Sequence, residues 1–339
     1  MPRSCSRLCR KPKQLFFKIT LNRNSPTWYI RDTCGQICAV ITWLLISYGL
    51  FAVFYIIIPP WVNAESNLEK SALSGSDKLQ NQLLNKLSRS EEERKSSSSF
   101  LNFSSTFYAY LNSIIFLFLS SMAFISHCRA MFTDPGATEV NNASPDSIAK
   151  MNLPAGHVLY KCTKCAAIKP ERAHHCSVCR RCINKMDHHC PWVNNCVGEK
   201  NQKYFVLFTL YICLMSGHAL CLVVHRFLVC ANLHNGWTND ICTLKSPGTT
   251  LMNLIGLTFE AALFCLFTAI MFGTQVYGIC VDETGIEQLK GDMSHKKGRR
   301  KNSKFLNFKS VFGDKFSYKW LLPFFAPKWA KNDISLYAV

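Results

Sequence analysis

The chain has 339 residues, 48% of them hydrophobic, yet it carries a formal net charge of +18. A soluble domain of this size rarely combines the two; a membrane protein with basic segments outside the bilayer does so readily. Eighteen cysteines are present, and seven fall between Cys162 and Cys196 among two His-His pairs, a clustering that favours metal over disulfides.

Residues 1–34 are basic and polar, with eight Lys/Arg against one acid, and show no apolar core before a small-residue cleavage site, so no cleavable signal peptide is expected. Four apolar runs follow, at 35–59, 106–126, 204–231 and 251–277, each long enough to cross a hydrocarbon core about 30 Å thick. Between the first two, residues 60–105 balance six basic against six acidic residues and are rich in Ser, Asn, Lys and Glu; this stretch reads as a disordered lumenal insert. Asn102-Phe103-Ser104 is a glycosylation sequon on that side. Segment 127–203 carries eleven Lys/Arg against six acids, the short loop 232–250 one of each, and the tail 278–339 twelve against six.

The positive excess therefore sits in 1–34, 127–203 and 278–339, all on one side of the four spans. By the positive-inside rule that side is the cytosol. The spans account for this distribution of charge, so nucleic acid is not among the expected partners. The expected fold class is an all-α polytopic membrane protein: four transmembrane helices, with a cytosolic cysteine-rich domain binding two zinc ions between the second and third. Within the spans, His218, His225 and Glu260 are functional hypotheses by default, and Arg226 reads as snorkelling toward the lumenal surface.

The cysteine-rich segment "CTKCAAIKPERAHHCSVCRRCINKMDHHCPWVNNC" contains a 14-residue repeat. Cys162 and Cys165 recur as Cys176 and Cys179, the triplet 174–176 as 188–190, and Cys182 as Cys196. C-x2-C-x9-H-x6-C thus appears twice, overlapping, and each copy supplies three thiolates and an imidazole, the complement of a closed structural zinc site. The first site is Cys162, Cys165, His175 and Cys182; the second is Cys176, Cys179, His189 and Cys196. Spacing alone leaves open which member of each His-His pair binds.

A third copy would begin at Cys190, but the partner it needs three residues on is Val193. Cys190 is left without a metal, beside a spare histidine and the carboxylate of Asp187. Such a trio matches an activated nucleophile, and zinc staples on both sides would hold it rigid. The alternative is an inert buried cysteine in a non-enzymatic zinc-finger membrane scaffold; a cation transporter is a further, weaker alternative, since the apolar faces offer little polarity to line a pore.

Cys190 lies 14 residues before the third span, at the membrane surface where acyl chains concentrate. A thiol there can take an acyl group from a thioester such as acyl-CoA and pass it to another thiol. Among nearby basic residues that could meet CoA phosphates are Lys161, Lys169, Arg172, Arg180, Arg181, Lys200 and Lys203.

"DHHC" at 187–190 within this domain, between the second and third spans, resembles the DHHC family of protein S-acyltransferases, the palmitoyltransferases. The likeness extends to "DPG" at 134–136 and to "NFKSVFG" at 307–313. "WYIRDTCGQICAVITWLL", "FTAIMFGTQ" and "DETGIEQLK" resemble the Golgi-resident members most closely. The resemblance implies zinc on the second histidine of each pair, His175 and His189. It implies His188 as general base, Asp187 orienting it and Cys190 becoming acylated. It also implies an acyl-chain cavity among the spans, with Trp192 near the start of the chain, and ping-pong transfer of a palmitoyl group from acyl-CoA to a cysteine of another protein.

The partners so implied are membrane-associated protein substrates with cytosolic cysteines, long-chain acyl-CoA and membrane lipid. To these are added a PDZ-domain partner for the terminus Tyr337-Ala338-Val339 and further copies of the chain. The location implied is the Golgi membrane, with the endoplasmic reticulum as the alternative. Two departures from the family pattern stand out. Its Thr-Thr-x-Glu motif is Thr284-Gly285-Ile286-Glu287 here, which calls into question a hydrogen bond near the active site, and the insert at 60–105 is longer than in Golgi-type members.

Overall fold

The structure is a computed structural model that describes residues 28–60, 84–149, 159–232, 247–290, 303–313 and 315–327, with the backbone alone at 84–105, 232 and 247. The insert from 61 to 83 and Tyr337–Val339 lie outside the described residues. Four helices are long and apolar enough to cross a membrane. They are α1 (Thr33–Ala52, prolonged by a π-helical turn over Val53–Ile57), α2 (Leu84–Phe132), α4 (Gln202–Asn232) and α5 (Pro247–Val281). The short helix α3 spans Pro145–Ala149.

One expectation is corrected here. The sequence reading made 60–105 a disordered insert, but the chain is helical from Leu84, 22 residues ahead of the expected start of the second span. Residues 84–105 contain Leu, Glu, Lys and Arg and neither Gly nor Pro. Good helix formers that abut an existing helix extend it without a fresh nucleation step.

The chain divides into two compact units. One comprises Leu44–Phe124 and Thr209–Phe272, the greater part of the apolar helices. Several of its polar groups are satisfied locally, while among the described residues Glu260 Oε2 and His218 Nε2 are buried without a hydrogen-bond partner. Ser113, Ser120, Ser121, Thr258 and Thr268 each donate to a carbonyl one turn back. Tyr108 hydroxyl and His225 Nδ1 lie 3.0 Å apart. Arg226 does not snorkel: it is 5% exposed and donates to the Ile56 carbonyl at 2.6 Å. The π turn there, closed by the Ile58 N–H to Val53 carbonyl bond, departs from the usual α ladder beside that carbonyl.

The other unit comprises residues 1–43, 125–208 and 273–339. Its centre is three two-stranded antiparallel hairpins: β1 (Tyr160–Cys162) with β2 (Ala167–Lys169), β3 (His174–Cys176) with β4 (Arg181–Ile183), and β5 (His188–Cys190) with β6 (Asn195–Val197). Each turn places one residue in the left-handed region, Ala166 (φ 47°), Arg180 (φ 54°) and Asn194 (φ 46°). These positions are 14 residues apart. The sequence repeat is therefore also a backbone repeat, and the third hairpin keeps the shape of the first two although it lacks their Cys-x2-Cys pair.

Three asparagines with no exposure, Asn194, Asn195 and Asn201, tie the hairpins to the ends of the helices. Asn195 Nδ2 donates to the carbonyls of Ala130 and Met131, in the last turn of α2, and of Thr133 just past it. Its Oδ1 accepts from Trp28 Nε1 and from the Cys196 N–H. Asn194 Nδ2 donates to the Ile30 carbonyl, and Asn201 Nδ2 to those of Ala130 and Cys196. A Cβ at Gly35, in the first turn of α1, would fall 2.3 Å from Asn194 Oδ1, so only glycine allows this approach.

The "DPG" stretch adds a further tie. Asp134 Oδ1 accepts from the Gly136 and Ala137 N–H groups, and this turn then pairs with β4 through the Thr138 N–H to Cys182 carbonyl bond.

Substituting Asn195 by Ala removes five side-chain hydrogen bonds and strands buried partners, at a cost of about 2–4 kcal/mol. Thermal unfolding in detergent is expected several degrees below wild type. An unchanged midpoint would show that these bonds do not hold the hairpins to α2.

Candidate active site and metal centres

A β-strand turns successive side chains to opposite faces. In β3, His175 faces the same side as its cross-strand partner Cys182, while His174 and Cys176 face the other. In β5, His189 faces with Cys196, while His188 and Cys190 face away together. Alternation thus selects the second histidine of each pair for the cysteine clusters and leaves the first on the opposite face.

The two clusters fit zinc. His175 Nδ1 lies 3.6, 3.2 and 3.9 Å from the sulfurs of Cys162, Cys165 and Cys182. His189 Nδ1 lies 3.7, 3.4 and 3.5 Å from those of Cys176, Cys179 and Cys196. Within each cluster all four donor atoms are within 4.8 Å of one another. A tetrahedral ion with Zn–S about 2.3 Å and Zn–N about 2.0 Å sets ligand edges of roughly 3.5–3.8 Å, close to these separations. With Nδ1 turned to the thiols, His189 Nε2 faces Asp32 Oδ2 at 3.9 Å. Cys176, Cys179 and Cys196 pack with Ile30, Ile183 and Met186, so the second cluster is also the hydrophobic centre of this unit.

On the other face of β5 stand Asp187, His188 and Cys190. His188 Nδ1 donates to Asp187 Oδ2 at 2.6 Å, which leaves Nε2 as the nitrogen able to accept a proton. Its ring meets the ring of Phe205 edge to face, centroids 5.2 Å apart. Burial alone would push the His188 imidazole down. The bond to the Asp187 carboxylate and the nearby Cys190 thiol outweigh it and push the imidazole upward, making it a stronger proton acceptor. For Asp187, burial acts upward, but the His188 bond and charge, the Gly285 N–H and the Gln275 amide hold it below the ordinary carboxylate range. Cys190 is buried. A base oriented by a carboxylate and set beside a thiol is the arrangement that generates a thiolate nucleophile.

Asp187 is held by groups that sequence reasoning missed. Its Oδ1 accepts from the Gly285 N–H at 2.5 Å and its Oδ2 from Gln275 Nε2 at 2.7 Å. Gly285 opens the short helix α6 (Gly285–Lys290). Thr284 and Glu287 form a capping box there: the Thr284 N–H donates to Glu287 Oε2, and the Glu287 N–H to Thr284 Oγ1. The signal was legible as Thr-x-x-Glu. The missing second threonine leaves a backbone donor in its place, and a Cβ at 285 would come 3.2 Å from Asp187 Oδ1.

Other sequence-stretch candidates are placed as follows. Arg172 directs Nε and one terminal nitrogen at both oxygens of Glu287, and its remaining bonds go to the side chain and carbonyl of Asp282. It links the hairpins to α6. Lys203 is 2% exposed and donates to the carbonyls of Lys319 and Phe325, so it fastens the tail to the start of α4. The tail is held a second time at Asn307, in α7 (Lys304–Phe312), whose Nδ2 donates to the Cys280 carbonyl. Lys200 is partly exposed. Trp192 is 37% exposed, and its carbonyl accepts from His127 Nε2 at 2.8 Å. His127 Nδ1 accepts from Trp43 Nε1 at 3.0 Å, so a single tautomer satisfies both partners.

Fold and site together define a class: a four-span membrane protein whose cysteine-rich domain carries two Cys3His clusters and a separate Asp-His-Cys constellation. Residues 157–292 match the family model described as DHHC palmitoyltransferase. The chain is 47% identical over 316 residues to Palmitoyltransferase ZDHHC3 of Rattus norvegicus, covering 92% of this chain and 88% of that one. It is 43% identical over 297 residues to Palmitoyltransferase ZDHHC7 of Mus musculus, covering 88% and 80%. The chain belongs to the DHHC palmitoyltransferase family, which sets aside the scaffold and transporter readings.

Face alternation makes a sharp distinction within each histidine pair. Replacing His175 or His189 by Ala should each remove one of two zinc equivalents from purified protein, whereas His174→Ala should keep both, measured by elemental analysis against protein mass. Loss of zinc from His174→Ala with retention in His175→Ala would reverse the assignment.

Proposed function

We propose that the protein moves a long-chain acyl group, palmitoyl, from acyl-CoA to cysteines of membrane-associated proteins through an acyl-Cys190 intermediate. The observation that carries this reading is that Cys190 and His188 share a strand face turned away from both metal clusters, with Asp187 bonded to His188. In the first half-reaction His188 takes the Cys190 proton. The thiolate attacks the acyl-CoA carbonyl, the carbon–sulfur bond to CoA breaks, and the proton passes to the CoA sulfur. In the second, His188 takes the proton of a substrate cysteine, whose sulfur displaces Cys190. One thioester replaces another in each step, so the chemistry needs positioning and proton transfer rather than an external energy source.

Two zinc ions in the clusters would supply rigidity and no reactive coordination position, since protein donors fill all four. We assign Cys162, Cys165, His175 and Cys182 to one ion and Cys176, Cys179, His189 and Cys196 to the other. Trp192, two residues after Cys190 and partly exposed, would meet the start of the acyl chain. Lys200 keeps a partly exposed ammonium for CoA phosphates; Arg172, whose donors go to Glu287 and Asp282, serves as a brace.

The segments with excess positive charge are the same three that make up the unit holding the site. That coincidence supports a cytosolic placement for both termini and the catalytic domain. The likeness to Golgi-resident members supports the Golgi membrane as its location. A PDZ-domain partner and self-association remain part of the reading from the sequence.

Purified wild type incubated with labelled palmitoyl-CoA should gain one hydroxylamine-sensitive acyl group. Cys190→Ser should gain none while keeping its zinc, and Cys182→Ser should lose zinc and fold together. Uptake by Cys190→Ser at the same site and rate as wild type would refute acyl transfer through this residue.

A further inference from the structure

Gln275 lies in α5, six residues before its end at Val281, and is 5% exposed. A buried primary amide at the end of an apolar span needs partners for both its ends. It has them. Nε2 donates to Asp187 Oδ2 at 2.7 Å, and Oε1 accepts from Gln202 Nε2 at 3.3 Å. Its orientation is forced: a carboxylate only accepts, so the nitrogen end must face Asp187. Gln202 is the first residue of α4. One chain of hydrogen bonds thus runs from the start of α4 through the end of α5 to the carboxylate that holds the proposed base.

The position of the contact is specific. Gln275 bonds to Oδ2, the same oxygen that accepts from His188 Nδ1, while the Gly285 N–H takes Oδ1. Three donors on a carboxylate fix both its plane and its rotation. The α6 N–H alone fixes one oxygen and leaves the other free to swing away from His188. Nothing else among the described contacts of Asp187 Oδ2 ties that oxygen to a membrane-spanning helix.

We propose that Gln275, steadied by Gln202, is a positioning residue for acyl loading: it holds Asp187 Oδ2 where His188 must donate and so sets the imidazole toward Cys190. This rests on the acyltransferase reading above. Gln275 acts through Asp187 and touches neither acyl-CoA nor the thiol, so its loss should lower the maximal rate of loading and leave the acyl-CoA concentration at half-maximal rate unchanged.

The test uses full-length protein in detergent or nanodiscs, with palmitoyl-CoA loading followed by intact mass. Gln275→Met keeps length and volume but has no amide. It should load Cys190 roughly tenfold more slowly at saturating palmitoyl-CoA, the scale expected for one lost hydrogen bond to a charged group, with half-saturation and zinc content as in wild type. In an Asp187→Ala background the same change should have no further effect, because its only target is gone. Gln275→Glu, which keeps the side chain's size and polarity but sets a second carboxylate against Asp187, should lose at least as much; this variant carries the test if the Met variant proves unstable. Gln202→Met should show a smaller loss of the same kind.

Loading of Gln275→Met and Gln275→Glu at the wild-type rate would overturn the inference and leave the acyltransferase reading standing. A full further loss in the Asp187→Ala background would also overturn it, since a merely structural role is additive. Wild type that never loads would overturn both.

Discussion

Everything at the site follows from the two-residue period of a paired β-strand. In "HHC" at 188–190, alternation sends the middle residue one way and its neighbours the other. His189 joins Cys196 at a metal cluster while His188 and Cys190 share the far face. In "HHC" at 174–176 the same period gives the same sorting, but there Cys176 joins Cys179, His189 and Cys196 in a cluster that could hold a metal ion. The difference between the cysteine in a metal cluster and the proposed nucleophile therefore lies three residues downstream, in Cys179 against Val193, and not in the local strand.

A knuckle without a metal needs another support, and the third hairpin has one. Its left-handed turn residue is Asn194, whose amide reaches the Ile30 carbonyl; Asn195 caps the last carbonyls of α2; and His127 holds the Trp192 carbonyl from α2. Each contact joins the hairpin to the end of a helix or to the segment that enters one. The proposed nucleophile is thus held by hydrogen bonds to helix ends, where its two sister hairpins carry Cys3His clusters that could hold metal. Asp187 is fixed in the same manner, by the first N–H of α6 and by Gln275 near the end of α5. The proposed catalytic group is thus tied to the ends of several helices, which would suit the acyl transfer proposed here.

Much of this was legible in the sequence. The four spans appear as apolar runs, and the observed helices exceed them by a few residues at most ends because helices continue past the apolar window. The two donor sets and the spare Cys190 follow from the 14-residue repeat. The choice within each His-His pair was not legible from spacing, because neighbours fit a donor count equally well; only strand pairing separates them. Gln275 and His127 gave no signal because each lies at or near the end of a hydrophobic run, with its partner 88 or 65 residues away. Residues 84–105 misled in the other direction: polar composition reads as disorder, yet the same residues propagate a helix once α2 is there to extend.

The most direct measurement is native mass spectrometry of the purified protein before and after loading with palmitoyl-CoA, counting zinc ions and acyl groups on the same molecules. If strand alternation separates the nucleophile from the metal clusters, the loaded protein carries one acyl group and two zinc ions, the same two as before loading. Loss of a zinc ion in step with acylation would mean that the acylated thiol is itself a ligand, and would contradict the account at its root.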